Sequence, residues 1–201
     1  MAGLLRRIFL KRIDIYAPFG VVVALWMWPC EGALGWALYG AGVGLILLGG
    51  LFRFWAARYC GKRRPETPER RLATTGPYAL LRNPLYAANM LIAAGFMLLA
   101  HTWWLVPPFL LYAIIRHNQV VRREERSLEH RFGEEYLLYK KAVPRWLPNP
   151  LRLFRTRGEP LHSWGKALRR EAGGTVMVVV SAGLMTLKSL YLAPMVTGGS
   201  T

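Results

Sequence analysis

Apolar runs alternate with strongly basic ones along this chain. Five apolar stretches read as membrane-spanning helices, at about 14–29, 33–56, 84–101, 102–118 and 173–193. Crossing a bilayer takes about 20 residues, so the first, third and fourth are at the short end. Only His101-Thr102 and their neighbours separate the third from the fourth, which predicts a tight antiparallel hairpin with Trp103 and Trp104 at the interface. Between the second and third runs, Gly61-Lys-Arg-Arg-Pro-Glu-Thr-Pro-Glu69 is a loop, because two prolines and a glycine break any helix there. Residues 118–142 should carry the fourth span out of the bilayer as a helix. Leu128, Phe132 and Leu138 form its apolar side, and Pro144, Pro148 and Pro150 end it. Residues 151–172 should lie along the membrane surface, since Leu151, Leu153, Phe154, Leu161, Trp164 and Leu168 alternate with Arg and Lys.

Composition agrees with this pattern. The 201 residues are 53% hydrophobic yet carry a formal net charge of +16. A basic surface could suggest nucleic acid. Here, however, the basic residues flank apolar segments, which points to anionic membrane lipids as partners and away from nucleic acid. Of the 27 Lys and Arg residues, 25 lie before the first span, between residues 57 and 83, or between 116 and 172. The connections near 30–32 and 101–103 carry none. The positive-inside rule then puts the N-terminus on the cytoplasmic side and the C-terminus outside. Arg53 falls near the cytoplasmic end of the second span, and Lys188 reads as a snorkelling residue in the fifth. The first apolar run follows Arg6, Arg7, Lys11 and Arg12 and meets Pro29-Cys30-Glu31, a poor cleavage site, so it reads as a retained anchor. This topology separates Cys30 from Cys60, which rules out a disulfide between them. His101, His117, His130 and His162 are scattered, and no metal site is expected. The expected fold is therefore all-α: a single polytopic membrane domain over residues 1–201, with about five transmembrane helices plus cytoplasmic amphipathic helices.

Two polar blocks carry the candidate chemistry. In the first, Gly76-Pro77 and Asn83-Pro84 make two turns, with Tyr78 and Tyr86 beside them. Alone, this block reads as a helix start, with Asn83 as N-cap, Pro84 in the first turn and Arg82 snorkelling. In the second, Glu124-Glu125 follows the fourth span, and alone it reads as a partner of Arg122, Arg123 and Arg126. Glu134-Glu135 reads as more solvated still.

Taken in order, the blocks are Gly76-Pro77-Tyr78, Arg82-Asn83-Pro84-Leu85-Tyr86, Glu124-Glu125-Arg126-Ser127-Leu128, Phe132-Gly133-Glu134-Glu135-Tyr136-Leu137-Leu138-Tyr139 and Val143-Pro144-Arg145. This series resembles the isoprenylcysteine carboxyl methyltransferases and their relatives, the phospholipid N-methyltransferases, over about 70–148. The resemblance implies an integral membrane enzyme that uses S-adenosylmethionine without a Rossmann domain, and no Gly-x-Gly-x-x-Gly fingerprint is present. By motif position it implies a cofactor site of Arg70, Arg71, Leu72, Ala73, Tyr78, Asn83, Pro84, Leu85, Tyr86 and Glu124. The chemistry suits such a cofactor: Arg or backbone N–H groups for its carboxylate, and aromatic faces of Tyr78 or Tyr86 for its sulfonium. Glu124 suits its ribose or amino group.

Two positions depart from the family pattern. Asn83 replaces a histidine, and Asn does not titrate. Val120 replaces an arginine that holds the substrate carboxylate in prenylcysteine enzymes, which leaves Arg116 or Arg82 to compensate. The implied acceptor is lipophilic, either a prenylcysteine-like carboxylate or a lipid amine, with Glu125 as the candidate base for an amine. Competing readings are a sterol-reductase-like NADPH-dependent oxidoreductase and a non-catalytic lipid- or partner-binding protein. The methyltransferase reading requires the turn before the third span to meet the extension of the fourth, bringing Tyr86 to Glu124 around one polar chamber.

Overall fold

The computed structural model describes residues 32–60, 72–149, 151–152 and 158–197, with side chains up to residue 187. The expected first span, the loop at 61–69, and Cys30, Arg70 and Arg71 lie outside the described residues. The described residues form helices and connecting turns, with no strand among them. The helices are α1 (Gly32–Tyr59), α2 (Pro77–Leu80), α3 (Pro84–Leu99), α4 (Val106–Phe132), α5 (Glu134–Ala142) and α6 (Trp164–Thr197). A short 3-10 turn at Trp103–Leu105 precedes α4.

Helix α1 is long and apolar enough to cross a membrane, and it is the only such helix among the described residues. The five-span expectation therefore reduces here to one clear span. Helix α3 is apolar but has 16 residues, which at about 1.5 Å per residue falls short of a hydrocarbon core of about 30 Å. Helix α4 turns polar at Arg116-His117-Asn118, halfway along its length. It also ends earlier than expected. The chain breaks at Gly133 (φ 53°) and restarts as α5, so 118–142 is two helices rather than one. The C-terminal segment departs the other way. Helix α6 begins at Trp164 and runs without interruption through the expected fifth span, because no proline lies between Ser163 and Leu192.

The chain divides into two compact units. One draws on residues up to Leu47, on Met90–Arg116 and on residues from Met177 onward. Small residues let its helices approach closely. A Cβ on Gly42 would stand 2.7 Å from the Gly95 carbonyl oxygen, and one on Gly95 would stand 2.7 Å from that of Gly42. Large apolar side chains such as Trp36, Leu47, Met177 and Leu184 point outward instead, the arrangement expected where lipid rather than water surrounds a bundle. The α3–α4 turn is held by His101 Nε2 at 3.1 Å from the Gly35 carbonyl and by the buried Thr102 hydroxyl, which donates to the Met97 carbonyl (3.0 Å). Replacing Gly95 by leucine should separate α1 from α3 and lower the thermal midpoint of the detergent-held protein by several degrees. Replacing Gly44, which has open space around it, should not.

The second unit comprises Leu48–Asn89 and His117–Val176. In it Arg53 of α1 is paired across helices. Its Nε donates to Glu171 of α6 (2.5 Å), and its Nη1 donates to the Asn89 side chain of α3. Glu171 is buried, so this pair ties three helices together where an unpaired charge would be costly. All the residues considered next belong to this unit, with the exception of Arg116.

Candidate active site

Gly76 takes a positive φ of 61°, Pro77 opens the short helix α2, and the chain then extends through Leu81 to Asn83. Pro84 starts α3, where its missing N–H costs nothing. The intervening loop is pinned to the Val-Pro-Arg segment: Arg82 N–H donates to the Pro144 carbonyl (2.9 Å), and Asn149 N–H to that of Leu80 (3.1 Å). The Asn83 amide donates to the Arg145 carbonyl (3.3 Å). Its side chain thus ties two motifs together, while its backbone carbonyl accepts from Ala87 and begins the helix.

Above this loop, the two adjacent glutamates of α4 part company. Glu125 is buried and accepts from Arg145 twice, from Nε at 3.1 Å and from Nη2 at 2.5 Å, while Arg82 Nη1 lies 3.2 Å from its Oε1. Both oxygens of the candidate base therefore already face guanidinium groups. Arg82 is itself enclosed, and its Nε is buried without a hydrogen bond. Glu124 turns to the other block: the Tyr86 hydroxyl donates to its Oε1 at 3.3 Å across 38 residues of sequence.

Aromatic rings surround that contact. The Tyr86 ring lies 4.6 Å from the buried His117 ring, which lies 6.3 Å from Trp146. Trp146 Nε1 and Arg145 Nη1 both donate to Asn118 Oδ1 (3.0 and 3.3 Å). Sequence reading passed over His117, Asn118 and Trp146. A usable signal existed: His117 precedes Glu124 by seven residues and Asn118 precedes Glu125 by seven, which is two helical turns and hence the same faces of α4.

The remaining candidates scatter around this core. Pro84 is buried and Leu85 half-buried in the first turn of α3. Leu72 and Ala73 line a separate cleft of about 340 Å³ with Tyr59, Thr74 and Glu159; Tyr86 and Glu124 do not line it. Tyr86 and Glu124 thus meet as expected, and Leu72 and Ala73 line a cleft to which neither of them contributes. Tyr78 turns its hydroxyl to the Cys60 thiol and lends its backbone carbonyl to the Tyr139 hydroxyl (2.8 Å). Arg116 sits in α4 immediately before His117.

Three phenols of this unit are held protonated. Desolvation, the largest cause, pushes Tyr78 and Tyr139 well up and Tyr136 to about 12, with the Glu125 charge adding to the last. The native state then holds protons that the unfolded chain begins to release near pH 10. The associated stability is complete below that pH and is lost as pH rises toward about 12. Thermal midpoints measured between pH 8 and 11 should fall beyond pH 10, and Tyr136→Phe should flatten the fall.

The class of protein defined so far is an all-helical one, with an apolar helix and a buried carboxylate–guanidinium–aromatic site built on helix ends rather than on a nucleotide-binding sheet. The model of the phospholipid methyltransferase family matches residues 37–135, a span that runs from within α1 to the start of α5. The chain matches that family over these 99 of its 201 residues. It is 33% identical over 118 residues to the cobalt-zinc-cadmium resistance protein CzcN of Cupriavidus metallidurans, covering 59% of this chain and 50% of that protein. It is 30% identical over 120 residues to the nickel-cobalt-cadmium resistance protein NccN of Alcaligenes xylosoxydans xylosoxydans (60% and 54%). It is 32% identical over 129 residues to the protein-S-isoprenylcysteine O-methyltransferase of Rattus norvegicus (60% and 44%). The chain thus spans about half the length of the curated relatives it matches.

Proposed function

We propose that this protein transfers a methyl group from S-adenosylmethionine to a lipophilic acceptor at the cytoplasmic face of a membrane. The observation that carries the reading is the Tyr86–Glu124 contact, which joins the two blocks that resemble the methyltransferases. The residues fit the cofactor. Glu124 offers a carboxylate to hydroxyl or amino groups, and the Tyr86 and His117 rings offer apolar, electron-rich faces to a cation. The orphaned Nε of enclosed Arg82 is a donor for a carboxylate. When bound, S-adenosylmethionine supplies an electrophilic methyl group on a sulfonium. Leu72 and Ala73 supply apolar wall to the neighbouring cleft.

In this reading the protein aligns reactants and excludes water rather than forming a covalent intermediate. Glu125 acts through Arg82 and Arg145, holding the loop in register, instead of taking a proton. Arg116 remains a candidate for an anion contact on the acceptor. Helix α1 spans the bilayer, together with the other apolar runs in a five-span arrangement, with the N-terminus cytoplasmic and the C-terminus outside.

Calorimetry on the detergent-purified protein tests this. S-adenosylhomocysteine should bind and NADPH should not. Glu124→Ala should weaken binding by about 1–3 kcal/mol, and Tyr86→Ala should weaken it too. Glu134→Ala, at an exposed position in the first turn of α5, should leave it unchanged. Equal effects at 86 and 134, in folded variants, would defeat the assignment.

A further inference from the structure

A second cleft, of about 440 Å³, lies in the same unit; it shares Thr74 with the first, and neither Tyr86 nor Glu124 lines it. Ala79, Leu138, Ala142 and Val143 give it an apolar wall, and Arg152 stands at one side. Local chemistry seats that arginine. The Asn149 side chain accepts from Leu151 N–H (3.1 Å) and the Asn149 carbonyl accepts from Arg152 N–H (3.1 Å), a turn that Asn favours between two prolines. Arg152 Nη1 donates to the Ala142 carbonyl, a neutral acceptor, while its Nε is buried without a hydrogen bond. No carboxylate pairs with this guanidinium among the described residues. Glu135 also lines the cleft, but it is exposed, so water screens it. A guanidinium with an unused buried donor beside apolar wall suits one kind of guest: a compact anion on a lipophilic stem.

We infer that this cleft binds an amphiphile with a phosphate or carboxylate head, with Arg152 holding the head and Leu138, Ala142 and Val143 holding the stem. The inference rests on the proposed methyl transfer only in calling this amphiphile the acceptor; the binding itself does not. It also supplies the anion-holding arginine that Val120 cannot, from a segment beyond the 37–135 family match.

The test uses the full chain held in amphipol, so that no micelle competes for the probes. Equilibrium dialysis would compare dihexanoylphosphatidic acid, decanoate, neutral dihexanoylglycerol and inorganic phosphate. At least one anion-headed amphiphile should bind more tightly than both dihexanoylglycerol and inorganic phosphate, and whichever binds better identifies the head as phosphate or carboxylate. Arg152→Gln should weaken that binding about ten-fold or more, and Arg152→Lys should keep most of it. Because Arg152→Gln also removes the bond to Ala142, Leu138→Glu provides an independent arm. This exposed position should tolerate the change, and the new carboxylate should repel the head and weaken binding similarly. Dihexanoylglycerol or free phosphate binding as tightly as the amphiphilic anions would overturn the inference. So would unchanged affinity in both Arg152→Gln and Leu138→Glu, with helical content intact by circular dichroism. Calorimetry with S-adenosylhomocysteine separates the two claims. Its failure to bind defeats methyl transfer and leaves the cleft's binding result standing. Its binding, with amphiphile affinity unmoved by these variants, defeats only the cleft.

Discussion

Glu125→Ala should destabilise the protein by about 3–5 kcal/mol, the largest single effect expected from any residue of the site. Removing one partner of a buried ion pair leaves the other charge enclosed and uncompensated. Here two charges would be stranded. Arg145 would lose its two bonds, at 3.1 and 2.5 Å, and enclosed Arg82 would lose the carboxylate 3.2 Å away. These arginines also fasten the loop before α3 to the Val-Pro-Arg segment, so the loss should spread to Asn83 and Tyr86. Denaturant unfolding of the detergent-held protein, followed by circular dichroism, would measure it. The neighbour is the control. Glu124→Ala removes a single 3.3 Å contact from Tyr86 and should cost about 1 kcal/mol of stability, while weakening the cofactor. If the two alanine variants unfold alike, the division of labour between these glutamates is wrong. A double variant, Arg145→Met with Glu125→Leu, should recover only part of the loss, because it removes one stranded charge and leaves enclosed Arg82 without its carboxylate.

Gly76→Ala should be the second most damaging change, at about 2–4 kcal/mol. The backbone there adopts φ 61° and ψ −140°, a region in which a Cβ is strained by about 1–3 kcal/mol. The site is also full. An added Cβ would lie 2.6 Å from the Tyr59 ring, and that ring is buried, with its hydroxyl donating to the Gly158 carbonyl (3.3 Å). Overpacking of this kind typically costs about 1–3 kcal/mol. The functional consequence should exceed the thermodynamic one. Tyr59 and the segment before Gly76 wall the same cleft, so relief of the clash must displace it. Cofactor affinity should therefore fall even below the unfolding transition, and calorimetry beside a thermal melt would separate the two losses. Gly133→Ala, also at positive φ but with open space around its Cβ position, should cost less and leave affinity unchanged.

Much of this architecture was legible in the residues. The limits of α1 follow its apolar run closely, because an apolar helix is set by composition over many positions. Asn83-Pro84 marked the start of α3 for an equally local reason: proline fixes its own φ and lacks the N–H a helix interior needs. The ends of α4 and α6 were harder to read. A single glycine at 133 divides a stretch whose apolar side continues past it. Ser163 precedes a helix that begins inside the expected amphipathic surface segment and runs on into the expected fifth span, because no proline intervenes to separate the two. Arg53 could be placed near one end of its span but not given partners, since Asn89 and Glu171 are 36 and 118 residues away.

Sequence alone determined the helical class, the order of the motif blocks and the family they resemble, since each rests on neighbours along the chain. Only the tertiary structure decided which of two adjacent glutamates faces Tyr86 and which faces the arginines. Consecutive residues on a helix point about 100° apart, and no pattern along one strand of sequence says what waits in either direction. The same holds for His117 beside Tyr86 and for the Asn83 amide on the Arg145 carbonyl. Each depends on packing between segments distant in the chain, where the energy of a contact is set by what it excludes from water.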